Sequence, residues 1–203
     1  MKKNIANFCV ILLFLIGCGT DKVAEGPVAE QISHRGYNDN KLNGFISAIQ
    51  DGFTKLEADV RLREEKPVLL HDNIPCSYCT PLVDLLELAQ NNNTTLFLEF
   101  KEFKAIPISL ELINKYNVNV VLTSFNLEHL TYINSTSNYS LGFITNEHFN
   151  LEDLPLIDYL IINQEHTNKC IPYIKCIAWD IKNNKQYNRV KYNVDFIIVD
   201  KYF

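Results

Sequence analysis

The stretch from residue 55 to residue 62 reads Lys-Leu-Glu-Ala-Asp-Val-Arg-Leu. Polar and apolar residues alternate in it, which predicts a β-strand with Glu57 and Asp59 on the same side. Short apolar runs of this kind recur along the chain and are separated by segments with helical spacing. The predicted strands are Glu30–Ser33, Lys55–Leu62, Leu96–Phe100, Val118–Thr123, Ser140–Thr145, Tyr159–Ile162, Cys176–Ile181 and Asp195–Val199.

Helices are predicted between these strands, after Asn43, after Thr80, and at 105–116, 126–134 and 184–191. Strands that alternate with helices indicate a parallel sheet. Eight of them predict a compact TIM-type (β/α)8 barrel that forms a single domain from residue 30 to residue 203. Such barrels commonly take about 250 residues, so this one must be trimmed. A further extended piece at Pro67–His71 is expected to continue the second strand or to pair back on it.

The N-terminus has the pattern of an export signal. Two lysines precede an apolar run from Phe8 to Ile16, which is too short to span a bilayer. The ending Leu15-Ile16-Gly17-Cys18 resembles a bacterial lipobox. We therefore expect a signal peptide over residues 1–17, lipidation of Cys18, and a polar tether over residues 18–29. An ordinary signal with a chance cysteine is the alternative. Lipidation would anchor the protein to a membrane of the bacterial cell envelope, on the exported side.

The composition excludes one class of partner. Cleavage would remove Lys2 and Lys3 and no acidic residue, so the formal net charge would move from −5 to −7. An acidic domain is a poor binder of phosphate backbones, and nucleic acid is not expected as a partner. The hydrophobic content of 47% supports a folded domain.

Four cysteines would remain besides the lipidated one. An exported chain meets oxidising conditions, so disulfides are expected, such as Cys76–Cys79 and Cys170–Cys176, although the sequence does not fix the pairing. A zinc site and a redox role for Cys76 and Cys79 remain open. The spacing of Cys170 and Cys176 suits zinc poorly, and Cys76 and Cys79 lie in a predicted loop.

Polar residues cluster where the first predicted strands end. Because active sites of such barrels lie at the carboxyl ends of the strands, we expect these side chains to converge. Acidic groups this close need a cation between them, and oxygen ligands suit Mg²⁺ or Ca²⁺. Alternatively, Glu57 and Asp59 face solvent on an edge strand. The candidates are Glu57, Asp59 and Glu99 for one divalent cation, His34 and His71 for proton transfer, and Arg35 and Lys101 for phosphate.

Several short motifs resemble those of the glycerophosphodiester phosphodiesterase (GDPD) family, within the PLC-like phosphodiesterase superfamily. They are His34-Arg35-Gly36, Leu56 to Val60, Pro67 to Asp72, Leu98 to Lys101, Thr123-Ser124-Phe125, Ala178-Trp179-Asp180 and Val194 to Asp200.

The resemblance implies a barrel that hydrolyses glycerophosphodiesters to sn-glycerol 3-phosphate and an alcohol. It also implies His34 and His71 as the acid/base pair, Glu57, Asp59 and Glu99 as metal ligands, Arg35 and Lys101 as phosphate contacts, and Trp179 as an apolar wall of the pocket. Plain core packing is the alternative for Trp179.

The sequence departs from the family at two places. Leu42 stands where the family has a glutamate before the first helix, and only Asn73 to Thr80 separate His71-Asp72 from the next helix, where family members carry an insertion that helps to bind glycerol. The substrate is therefore open. A lysophospholipase D-like enzyme acting on lysophospholipids or related diesters is one alternative, and a catalytically silent envelope lipoprotein is another.

Overall fold

The computed structural model of the protein describes residues 26–37, 39–146, 156–201 and 203. Its strands agree with the predicted ones to within a few residues, and the extended piece after the second strand pairs back on it, which is one of the two arrangements expected. The strands of the described residues are β1 (Glu30–His34), β2 (Lys55–Arg63), β3 (Lys66–Leu69), β4 (Thr80–Pro81), β5 (Thr95–Phe100), β6 (Val120–Ser124), β7 (Ser140–Thr145), β8 (Tyr159–Asn163), β9 (Lys175–Ile181) and β10 (Phe196–Val199).

Eight parallel strands close into a barrel, as predicted. They follow the order β1, β2, β5, β6, β7, β8, β9 and β10, and β10 pairs with β1 to complete the ring. Strand β3 pairs antiparallel with β2, and the short β4 pairs antiparallel with β3, so this hairpin lies outside the ring. All of these strands fall within residues 30–199, so a chain that begins at residue 19 contains every strand of the described residues.

Helices cover the outside of the barrel. The layer is thinner than in larger barrels, because a short 3-10 helix at Gln164–Lys169 follows β8 in place of a full α-helix. The α-helices of the described residues are α1 (Leu42–Gln50), α2 (Leu82–Asn92), α3 (Ala105–Ile113), α4 (Leu127–Thr136) and α5 (Asn184–Val190).

Alternation along the strands creates two cores. Leu56, Ala58 and Val60 of β2 point outward and pack under the helices, whereas Glu57 and Asp59 point into the barrel. Apolar side chains that point into the barrel form the inner core. Its buried members are Ile32, Phe97, Val121, Ile144, Ile161, Ile177, Phe196 and Ile198.

Two disulfides form in the described residues, Cys76–Cys79 and Cys170–Cys176, which is the pairing that the sequence suggested. Because all four sulfurs are paired, these cysteines do not form the zinc site that the sequence left open. The Cys76–Cys79 bridge closes the exposed loop between β3 and β4.

The predicted signal peptide over residues 1–17, Cys18 and the tether as far as residue 25 lie outside the described residues. At the end of the predicted tether, Ala29 is already buried, and its N–H donates to the carbonyl of Lys191 at 2.7 Å. No helix in the described ranges combines the length and the apolar character needed to cross a membrane.

Candidate active site

A cavity of about 260 Å³ opens at the carboxyl end of the barrel. One side of it is polar and is built from β1, β2, β5 and the loop after β3. The predicted site residues that line this side are His34, Arg35, Glu57, His71, Glu99 and Lys101. Asp59 does not line the cavity, because it is fully buried beside it.

The turn after β1 is shaped by a glycine. Gly36 has φ +60°, and a Cβ at this position would lie 2.6 Å from the backbone nitrogen of Phe45 in α1. Only glycine allows the first helix to approach so closely. Arg35 itself has φ 53°, and its backbone N–H donates to the carbonyl of Glu57 at 2.9 Å. The turn thereby places His34 and Arg35 at the cavity.

Three buried carboxyl groups meet beside this turn. Asp59 of β2 lies opposite Glu99 of β5 in the parallel register. One carboxylate oxygen from each of Glu57, Asp59 and Glu99 lies within 4.8 Å of the others. This distance allows the three residues to share one cation.

Two cations neutralise Asp59. Arg35 Nε lies 2.9 Å from Asp59 Oδ2, and Lys101 Nζ lies 3.0 Å from Asp59 Oδ1. Lys101 Nζ also lies 2.5 Å from Glu99 Oε1. Burial on its own would raise the pKa of Asp59, but the charges of Lys101 and Arg35 outweigh it and lower that pKa below its usual range. Asp59 is therefore ionised at neutral pH.

The other two acids behave differently. Burial, assisted by the charge of Asp59, raises the pKa of Glu57 to about 8. Burial also raises the pKa of Glu99, although Lys101 opposes the change. Glu57 therefore holds a proton at pH 7. The three carboxyl groups offer only oxygen ligands, and one of them is costly to ionise. Such a set fits a hard divalent cation, because the cation would take the place of the proton on Glu57.

Both histidines are held by a carboxylate through Nδ1. His34 Nδ1 lies 2.6 Å from Asp200 Oδ1, and His71 Nδ1 lies 2.7 Å from Asp72 Oδ1. Such a bond fixes the ring and leaves Nε2 to exchange a proton. His34 Nε2 lies 3.9 Å from Glu57 Oε2. Burial would lower the pKa of His34, but the hydrogen bond to Asp200 contributes most to a net increase.

Sequence reasoning gave no role to Asn40 or Asp200. Asn40 is buried, its Nδ2 donates to Asp59 Oδ2 at 2.8 Å, and its Oδ1 accepts the N–H of Asp59 at 3.1 Å. Nothing in the spacing of the loop points to Asn40. The position of Asp200 beside the site could have been inferred from the sequence, because β1 and β10 are neighbours in a closed barrel. In the structure, Ser33 pairs with Val199. The next residues on the two strands, His34 and Asp200, therefore meet.

The opposite side of the cavity is mostly apolar, and the ion-paired Asp180 and Lys182 are among its lining residues. Trp179 lies on this side, as the family resemblance implied, and its ring packs edge to face against Phe125 with 6.1 Å between the ring centroids. Thr123 faces inward beside Glu99 in the register of β5 and β6. Thr123 Oγ1 and Trp179 Nε1 are buried without a hydrogen-bond partner. The apolar side consists of Phe125, Ile144, Ile161, Trp179, Ile181 and Ile198.

Solved structures that share this fold include phosphodiesterases. A glycerophosphodiester phosphodiesterase from Thermotoga maritima superposes with a TM-score of 0.66 at 21% identity, over 85% of this chain and 94% of that one. A glycerophosphoryl diester phosphodiesterase domain from Mycobacterium tuberculosis gives a TM-score of 0.61 at 12% identity, over 87% and 96%. The chain shares the barrel fold of these two proteins.

A third structure with this fold is a Ca²⁺-dependent phosphatidylinositol-specific phospholipase C from Streptomyces antibioticus. It gives a TM-score of 0.60 at 10% identity, over 87% of this chain and 94% of that one. No family model and no curated protein matches the chain at the sequence level. These low sequence identities show a shared fold but do not establish the activity. The activity is therefore argued from the site.

Proposed function

We propose that the protein is a glycerophosphodiester phosphodiesterase that hydrolyses glycerophosphodiesters to sn-glycerol 3-phosphate and an alcohol. The observation that carries the proposal is the meeting of three buried acids with two histidines at one cavity, each histidine bonded to its own carboxylate. A solvated acidic edge, the alternative reading of Glu57 and Asp59, would not bury these side chains.

In this proposal, Glu57, Asp59 and Glu99 hold one divalent cation, Mg²⁺ or Ca²⁺. The bound cation would supply positive charge for the oxygens of the phosphate. Lys101 would add to this positive charge. Its ammonium group has three N–H donors, of which two can bond to Asp59 and Glu99, so one is left for the phosphate. Arg35 contacts Asp59 through Nε, and its Nη1 lies 3.6 Å from Asp39 Oδ1. Its Nη2 would contact the phosphate.

The two histidines transfer the protons. Nε2 of one removes a proton from the neighbouring hydroxyl group of glycerol, whose oxygen bonds to phosphorus, and Nε2 of the other gives a proton to the oxygen of the alcohol as its bond to phosphorus breaks. Water then opens the resulting cyclic phosphate to sn-glycerol 3-phosphate, with the two histidines in exchanged roles. Asp200 and Asp72 keep each ring in the tautomer that makes this possible, because they occupy Nδ1. Each histidine should contribute about 10²- to 10⁴-fold to the rate.

The test is release of sn-glycerol 3-phosphate from glycerophosphocholine by a chain of residues 19–203. We expect His34→Ala and His71→Ala to lose turnover by at least about 10²-fold. His166→Ala is the matched control, because His166 is half-buried and does not line the cavity. Near-parental turnover in either active-site variant would refute the role of that histidine.

A second substrate class is favoured by the apolar side of the cavity. Lysophospholipids carry the same phosphodiester next to an acyl chain, and six apolar side chains face the polar residues across the cavity. A lysophospholipase D-like activity would release a free head group, such as choline, from lysophosphatidylcholine. Turnover of neither substrate would instead favour a catalytically silent lipoprotein.

We also propose that Cys18 is lipidated after removal of residues 1–17 and that the protein is anchored in the bacterial cell envelope. The support is the sequence pattern alone. A Cys18→Ser variant should move from the membrane fraction to the soluble fraction. Retention of this variant in membranes would refute the lipid anchor.

A further inference from the structure

The loop that follows β3 carries His71 away from the sheet. Just before it, the N–H of Leu70 still donates to the carbonyl of Asp59 on β2, at 3.0 Å. Residues 72–75 are then exposed, and the chain rejoins the sheet only at Thr80. The position of His71 therefore depends on contacts that do not belong to the sheet.

Two arginines of β2 make these contacts. Arg61 Nε donates to the carbonyl of His71 at 2.9 Å. Arg63 Nη2 donates to Asn73 Oδ1 at 2.9 Å and to the carbonyl of Ile74 at 3.4 Å. Period-two spacing explains why both arginines lie on the same side of the strand. The two guanidinium groups thus bind the loop directly at and after His71.

One carboxylate joins the two arginines. Glu102 Oε2 lies 3.8 Å from Arg61 Nη1, and Glu102 Oε1 lies 3.8 Å from Arg63 Nη1. Glu102 also accepts the N–H of Leu62, which lies between the two arginines on β2. The side chains of Arg61 and Glu102 are only 15% and 30% exposed, so water screens this pair less than a surface ion pair. We call Arg61, Arg63 and Glu102 the arginine clamp.

The clamp acts on the cavity only through other residues. None of its three members lines the cavity, whereas His71 does. Glu102 directly follows Lys101 in the chain, and Lys101 contacts Glu99 in the acidic cluster. The clamp therefore fixes the loop of His71 relative to the strand end that carries Glu99 and Lys101.

We infer that Arg61 is a positioning residue for the reaction, which holds the backbone of His71 so that its ring stays at the cavity. Asp72 binds the same ring through Nδ1, but the side chain of Asp72 is 70% exposed on the same loop. Asp72 thus orients the ring relative to the loop, and Arg61 holds the loop on the barrel. The inference rests on the proposed function, because it assumes that His71 transfers a proton.

The chemistry of the side chain explains why an arginine stands at this position. Its Nε donates to the carbonyl of His71 while Nη1 points to Glu102, so one rigid group makes two contacts in different directions. The ammonium group of lysine is a single point at the end of a flexible stem. Lysine would keep the charge but lose the two-way contact.

The experiment is a double-mutant cycle between Arg61 and His71, measured as hydrolysis of glycerophosphocholine by the chain of residues 19–203. Arg61→Met keeps the apolar stem and removes every donor. In the parent background it should lower kcat about 10- to 100-fold and change KM by less than about twofold. In the His71→Ala background it should lower the residual kcat by less than about twofold, because the residue that it positions is gone. Equal losses in both backgrounds would overturn the inference.

Two further variants complete the cycle. Arg61→Lys should recover only part of the lost kcat, and full recovery would overturn the two-way contact. Arg189→Met is the matched control, because Arg189 is exposed in the last turn of α5 and does not line the cavity. It should leave kcat unchanged, and a loss as large as that of Arg61→Met would also overturn the inference.

Backbone ¹⁵N relaxation tests the clamp without turnover. In Arg61→Met, the order parameters of the His71 and Asp72 amides should fall from about 0.85 to about 0.6 or lower. If the parent turns over no diester but the order parameters fall in this way, the proposed function fails and the clamp stands. If the parent turns over the diester and Arg61→Met changes neither kcat nor the order parameters, the inference fails alone.

Discussion

Replacing Glu57 by Gln should stabilise the metal-free protein and abolish its metal binding. Glutamine keeps the size of the side chain and an oxygen that can accept the N–H of Arg35, which lies 3.2 Å from Glu57 Oε2. The change removes only the ability to ionise. The variant therefore separates the cost of a buried carboxylate from the packing around it.

The size of the effect follows from the pKa of Glu57, which burial raises from 4.5 to about 8. The folded protein holds this proton between those two pH values, whereas the unfolded chain has released it. Raising the pH through this window therefore destabilises the metal-free fold, by about 1.4 kcal/mol per pH unit. Over the whole window, the loss at pH 8 is on the order of 5 kcal/mol relative to pH below 4.5. Glutamine lacks this loss.

Urea unfolding followed by circular dichroism measures the free energy of unfolding in EDTA at pH 5 and at pH 8. We expect Glu57→Gln to exceed the parent at pH 8 by several kcal/mol and by little at pH 5. With Mg²⁺ or Ca²⁺ at about 1,000 times the dissociation constant, the parent alone should gain about 4 kcal/mol. A variant no more stable than the parent at pH 8 in EDTA, or a difference independent of pH, would refute the reasoning.

Three further predictions follow from the contacts around the site. Asn40→Ala removes both hydrogen bonds to Asp59 and leaves the buried N–H of Asp59 without a partner. The free energy of unfolding in urea should therefore fall by about 2–4 kcal/mol, and a fall below about 0.5 kcal/mol would contradict the role of Asn40. Asp200→Asn removes the partner that raises the pKa of His34. In the profile of kcat/KM against pH, the limb that reports His34 should therefore move to lower pH, and an unchanged limb would argue against the His34–Asp200 pair. Thr123→Val removes a buried hydroxyl that has no partner, so it should leave the free energy of unfolding within about 1 kcal/mol of the parent; a larger loss would indicate a structural hydrogen bond.

The sequence predicted the barrel because its signals are local and repeated. Strands such as Leu96–Phe100 are largely apolar runs between helical segments. Period-two spacing correctly placed Glu57 and Asp59 on the same side of β2, which is the inner side. The ends of the strands and helices were predicted less accurately. Strand β6 begins at Val120 and not at Val118, and α3 ends at Ile113 and not at residue 116. Strand and helix ends depend on tertiary hydrogen bonds, which local spacing does not encode.

The candidate site was predictable where it follows strand ends and unpredictable where it depends on side-chain contacts. The sequence indicated a cluster of acids and cations, but it assigned Arg35 and Lys101 to phosphate alone. In the structure, both also neutralise Asp59. Asn40 lies in a loop whose path depends on Arg35 and Gly36 adopting positive φ, so its contact with Asp59 could not be read from spacing.

The central claim is that the barrel mouth is a metal-dependent phosphodiesterase site. The most direct measurement is the rate of sn-glycerol 3-phosphate release from glycerophosphocholine by the residues 19–203 chain, first in EDTA and then with Mg²⁺ or Ca²⁺ restored in excess. The account predicts no release in EDTA, recovery with at least one of the two ions, and no recovery for Glu57→Gln. Release that persists in EDTA, or recovery in the Gln variant equal to that of the parent, would contradict it.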